Sequence, residues 1–305
     1  MIPLHHLGEA AALSTALLWA FTAVFFTLAG TRVGALAVNR TRLVIAVCLL
    51  ACAHAVALGV PWPRDASPRH WFWFGLSGVI GLALGDSFLF QALLDIGPRK
   101  AMLVMASWPI FSALLALAFL GETLTRTEAA GVALTVAGIT WVILERNPVR
   151  GPASEAAGGH PIRGFFNACG GAFCQAAGIV VARRGLDGAI SPLSGTLIRM
   201  LVATLCLWIF TLAARRWKDG LAVVKDRKAL VFTTAGAVTG PFLGVWLSLV
   251  AVQHAKVGVA SALMALVPIL ILPLVRIVFH ERVSPRALLG TLATIGGVIL
   301  LLGIG

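Results

Sequence analysis

The chain has 305 residues, 59% of them hydrophobic and 12% charged, with a formal charge of +12 and a mean hydropathy of +0.95. Soluble domains carry roughly 25% charged residues, so this composition excludes a surface that meets water on all sides. Apolar runs of about 20 residues match the length a helix needs to cross a bilayer. Most of the basic excess lies in short connections between these runs, where it meets lipid headgroups. That setting excludes nucleic acid as the reason for the charge.

Breaks at Pro, Gly and charge clusters predict an all-α membrane protein of ten transmembrane helices. They cover residues 10–30, 36–59, 70–94, 99–120, 127–145, 163–182, 191–213, 229–252, 257–279 and 285–304. The opening stretch "MIPLHHLGEAAALSTALLWAFTAVFFTLAG" lacks a positively charged leader and its apolar run is too long for a cleaved signal, so it reads as the first span. Cys48, Cys52, Cys169, Cys174 and Cys206 all fall inside spans with no CxxC pair and read as small buried apolar residues. No metal or other cofactor is expected.

The third span contains "GLALGDSFLFQALL", which places Asp86 inside an apolar run. Counting from the ends of spans two and three puts Arg42 roughly 9 Å and Asp86 roughly 12 Å deep from the same face. Intramembrane ionisable groups usually face the bundle interior and pair with each other. Three readings stay open at this point: a structural pair with Arg42, a cavity role as proton site or contact to a substrate amine, and an acid held protonated by desolvation.

The two halves repeat. A shift of 159 positions brings Gly81 onto Gly240, Gly85 onto Gly244, Met105 onto Met264, Pro109 onto Pro268, Glu122 onto Glu281, Gly131 onto Gly290 and Gly138 onto Gly297, without a gap. Close to it, at 157, Arg42 meets Arg199. The boundaries are a first repeat over 1–145, a linker over 146–162 rich in Gly, Pro and small residues, and a second repeat over 163–305. Five spans per repeat is odd, so the second copy enters the membrane inverted, as in many secondary transporters that bind substrate between the halves.

Within each half the pattern is Pro, thirteen residues to Glu, nine to Gly and seven to Gly, as in "SWPIFSALLALAFLGETLTRTEAAGVALTVAGITWVIL" and "LVPILILPLVRIVFHERVSPRALLGTLATIGGVILL". This doubled spacing resembles the EamA repeat of the drug/metabolite transporter superfamily over essentially the whole chain. The resemblance implies a ten-helix inner-membrane carrier, often an exporter of amino acids, other metabolites or drugs. His280 departs from it, standing where the first copy has Gly121.

The remaining candidates follow from charge and shape. The position matching Asp86 is Val245, so Arg199 lacks the obvious partner of Arg42. It either binds a carboxylate or phosphate or snorkels to the interface. Asp86 with a free Arg199 permits a zwitterion. Trp19, Gln91, Trp108, Gln175 and Trp246 could line a path for an organic solute or merely pack, and Pro109 and Pro268 are candidate kink or gating points. Glu122 and Glu281 read as interfacial caps or salt-bridge partners of nearby arginines. The glycines spaced by four, 81 and 85 in span three and 236, 240 and 244 in span eight, read as close helix contacts.

The chain therefore reads as a carrier of a small-molecule substrate in the lipid bilayer, monomer or homodimer, with proton coupling resting on Asp86. It contains no GxxxxGK[ST] phosphate-binding motif. A lipid-modifying membrane enzyme and a non-transporting scaffold or receptor are the rivals. Orientation divides the criteria. Lys and Arg crowd the connections after spans 1, 3, 5, 7 and 9, which favours external termini. The family resemblance implies cytoplasmic ones and is taken as the expectation.

Overall fold

The computed structural model describes residues 6–105, 107–144, 161–186, 190–213, 221–267, 269–270, 273–274 and 285–301, and among these every regular element is a helix. The first half runs α1 (Leu7–Val33), α2 (Ala35–Leu58), α3 (Pro68–Ser77), a π-helical segment Gly78–Gly85, α4 (Asp86–Met105), α5 (Trp108–Leu120) and α6 (Arg126–Leu144). The second runs α7 (Pro161–Gly185), α8 (Pro192–Ala213), short α9 (Leu221–Lys225), α10 (Arg227–Ala237), a π segment Val238–Gly244, α11 (Val245–His254), α12 (Val257–Met264) and α13 (Pro285–Leu301).

Local chemistry sets the ends. Gly34, the single residue between α1 and α2, adopts φ +85°, which a side chain would resist. Ser67 caps α3, its hydroxyl accepting from the His70 amide, and Asp226 caps α10, accepting from the Lys228 and Ala229 amides at 3.0 Å each. Ser67 and Asp226 are 159 positions apart, so the repeat shift maps one helix start onto the other. The π segments map onto each other in the same way.

Among the described residues, six helices are both long and apolar enough to cross a bilayer: Leu7–Gly30, Ala37–Leu58, Pro68–Ala92, Ile162–Gly185, Pro192–Ala213 and Arg227–His254. These are the first three spans of each half. The predicted count of ten is not reached among the described residues, for two reasons. The helix of span three does not end at residue 94: α4 continues through Gly97 and Pro98 to Met105, packed along α7. The break falls instead at Ser107, leaving α5 only 13 residues long. Span nine breaks after Met264, and much of its remainder, with Pro268, His280 and Glu281, lies outside the described residues.

The two breaks are copies of one another. Ser107 N donates to Val104 O at 3.1 Å and Ile110 N to Ser107 O at 3.0 Å. Their 159-shifted equivalents are Leu266 N to Leu263 O at 3.2 Å and Ile269 N to Leu266 O at 2.9 Å. Pro109 is buried in the first turn of α5, where its missing N–H leaves no intrahelical bond unmade. It starts a helix and does not kink one.

The halves also pack as copies. The first π segment lies against α7 and α8, the second against α1 and α2. Gly138 of α6 faces Gly290 and Thr294 of α13, while Gly297 of α13 faces Gly131 and Thr135 of α6. The pair is thus antiparallel, and the repeat shift turns each contact into the other. Outward positions are apolar, such as Val56 at 89% and Phe210 at 69% exposure, as a lipid-facing belt requires. Cys48 and Cys52 lie on this outer face, not in the core, because their spacing of four residues puts both on the stripe of α2 turned away from α8. All five cysteines are free.

Candidate functional site

Arg42 enters the bundle from α2 and meets Asp86 at the start of α4 in a direct ion pair. The arginine is 9% exposed, so little water reaches the contact. Its Nε also donates to Asn39 Oδ1 at 2.8 Å, one turn earlier on the same helix. The guanidinium carbon stands 5.3 Å from the Phe26 ring centre and 5.4 Å from that of Phe90. A cation between two rings gains from their negative faces, and more so where water is excluded. The structure thus brings Asp86 and Arg42 into contact, the pairing that was one of the sequence readings.

Arg199 sits on α8, 3% exposed, so it does not snorkel. Among the described residues its Nε and Nη1 have no hydrogen-bond partner. Its backbone carbonyl lies against Gly78, and a side chain at Gly81 would come within 3.6 Å of Nη2. Arg199 is close enough to feel the charge of Asp86, yet that carboxylate is bonded to Arg42. Val245, where a second acid would stand, is buried apolar surface instead.

The other sequence candidates divide. Trp19 and Trp246 pack on the cluster of Leu43, Leu82, Leu197 and Val245, and Trp246 stacks on Phe242. Trp108 is buried in the separate main core. Gln175 is half-buried on α7. Gln91 serves another cluster: its Nε2 donates to Asp95 Oδ1 at 2.9 Å.

That second cluster was not singled out in the sequence. Asp95 accepts from Arg163 at 2.6 and 2.9 Å and from Asn167 at 3.2 Å, tying α4 to the N-terminal end of α7 across the halves. The Arg163 hydrogen bonds hold its carboxyl at about 2, below the ordinary 3.8. A depressed folded value contributes stability above pH about 3.8 that is lost as pH falls toward 2. Thermal unfolding from about pH 6 to about pH 2 is expected to show wild type more stable than Asp95→Asn at the upper end, with the gap closing below about pH 4.

The opposite end of α7 carries different cross-half ties. Arg184 donates to the Phe119 carbonyl, and beside it Glu122 Oε2 accepts from the Val257 amide at 2.8 Å, capping α12 of the other half. Lys256 adds a 2.7 Å contact to Glu128. Glu122 therefore caps a helix, as one of its sequence readings held, but one in the second repeat.

Asn39, Phe26, Phe90 and Asp95 were missed as partners. Helical spacing could have found three of them: Asn39 is three residues before Arg42, Phe90 four after Asp86, and Asp95 four after Gln91.

An all-helical bundle of two equivalent halves, with spanning apolar helices and an ion pair buried between them, is a multi-pass membrane protein built by duplication. The chain belongs to the EamA-like transporter family, whose pattern matches residues 6–144 and again 162–303. It is thus a membrane transporter of small molecules, not an enzyme. It is 28% identical over 300 residues to a "Probable terminal-alkyne amino-acid exporter" of Streptantibioticus cattleyicolor, covering 94% of this chain and 90% of that one. Among solved structures, one titled "Crystal structure of protein" superposes with a TM-score of 0.76 at 19% identity, covering 97% of this chain and 96% of the other. That likeness concerns the fold.

Proposed function

We propose that the chain is a ten-span secondary carrier of the cell (inner) membrane that exports a small organic metabolite of the amino-acid class by alternating access. The observation that carries this reading is the copied interruption of two helices, at Ser107 and at Leu266, in corresponding positions of two antiparallel-related halves. Paired interruptions of this kind are the usual marker of a transporter's substrate site, because unwound backbone at membrane depth survives where it lines a path. The amino-acid exporter among its relatives supports the substrate class. In this reading residues 1–145 and 163–305 are the rocking repeats, 146–162 joins them, and both termini face the cytoplasm.

Asp86, Arg42 and Arg199 form the polar centre of the path, with Trp19 and Trp246 beside it. Purified protein in liposomes should give saturable amino-acid flux above that of protein-free vesicles. Flux that ignores an imposed proton gradient would remove proton coupling from the scheme. Absence of flux for every amino acid and amine tested would remove the carrier itself.

A further inference from the structure

Arg199 carries two unmet donors in a site that water does not reach. A buried polar group is normally hydrogen-bonded, and a buried cation normally has a counter-charge in contact. Here Nε and Nη1 have neither among the described residues, at 3% exposure. The acid that acts on Arg199, Asp86, is committed to Arg42. The repeat explains how this arises: two arginines occupy equivalent places, but only the first half supplies an acid, with Val245 standing opposite Asp86. If Arg199 were merely a packing residue, an apolar side chain would fill the same volume without the desolvation penalty.

We propose that Arg199 binds the carboxylate of the transported solute, so that the site takes an α-amino acid or similar organic monocarboxylate. The inference rests on the carrier reading above and names the group that recognises its substrate. The guanidinium presents a planar fork that matches a carboxylate in a bidentate geometry, and the incoming anion supplies the missing counter-charge. The surroundings agree. Gly78 and Gly81 let the first π segment lie directly on Arg199, and Gly81 packs on Gly178 of α7. The guanidinium is therefore covered by a joint between the halves in the state shown. Parting of the π segment from α7 would open it to one face, and closure over a bound carboxylate would leave no unpaired charge.

The test compares acids with their amides on the full chain in detergent. Stabilisation against heat is measured with a panel of free L-amino acids, an alkyne-bearing one included, and with the corresponding amino-acid amides, since ligands of the folded state raise its apparent stability. At least one free acid should stabilise the wild-type protein, and its amide should bind on the order of 10- to 100-fold more weakly. That preference should vanish in Arg199→Gln and be retained in part by Arg199→Lys, which keeps the charge without the fork. Equal binding of acid and amide, an unchanged preference in Arg199→Gln, or stabilisation by no free acid would each overturn the proposal. Should Arg199→Gln fail to fold, the acid-to-amide ratio of the wild-type chain decides alone. Flux of carboxylate-free amines in liposomes, with no acid preference, would sink this assignment and leave the carrier reading standing.

Discussion

Removing either partner of the Arg42–Asp86 pair, by Asp86→Asn or Arg42→Met, is expected to destabilise the fold by about 3–5 kcal/mol. The double replacement Arg42→Met with Asp86→Leu should lose far less. The reason is desolvation. Both side chains are mostly buried, and a single replacement strands one charge among Phe26, Phe90 and neighbouring apolar helices. Replacing both removes the charge along with its counter-charge, and apolar pairs of similar volume often pack as well as a buried ion pair. Unfolding of the detergent-solubilised variants measures this directly. If the double variant is as unstable as the sum of the singles, the pair has no mutual compensation and its assignment is wrong.

Gly178→Val should be strongly damaging. A Cβ at Gly178 would lie 2.8 Å from the Gly81 Cα and 3.1 Å from its nitrogen, backbone atoms that cannot rotate aside. Overpacking of this kind costs roughly 1–3 kcal/mol, and here it also wedges the first π segment off α7. The expected result is lower thermal stability together with a larger fractional loss of flux than stability alone explains. Gly30→Ala is the control, since nothing lies within 4 Å of the added carbon. It should raise stability by up to about 1 kcal/mol through helix propensity. Equal effects of the two substitutions would contradict the packing described.

Much of this architecture was legible because the physics that encodes it is periodic. The 159-residue shift in Gly, Pro and Glu foretold two equivalent halves, and the same shift links the caps at Ser67 and Asp226 and the breaks at Ser107 and Leu266. Arg42 and Asp86 could be matched by depth alone, because few charges sit in those spans. What failed was local. Gly97 and Pro98 read as the end of a helix, yet packing of α4 along α7 carries the helix past them. Spacing of four pairs Asp95 with Gln91 on one helix, but its stronger partners Arg163 and Asn167 lie on a helix of the other half, and no sequence spacing encodes a contact between halves. Cys48 and Cys52 were misplaced because an apolar helix gives no composition contrast between a core face and a lipid face.

The two ends of α7 hold the most direct test of alternating access. Asp95–Arg163 ties the halves at its N-terminal end and Glu122–Val257 ties them near its C-terminal end, beside Arg184, which lies roughly 32 Å along the helix from Arg163. Spin-label pairs placed beside each tie, in protein whose five native cysteines have been replaced, report both distances in the same sample. With transported solute present, the account expects one distance to lengthen as the other shortens. Two distances that stay fixed, or that lengthen together while flux proceeds, would contradict it.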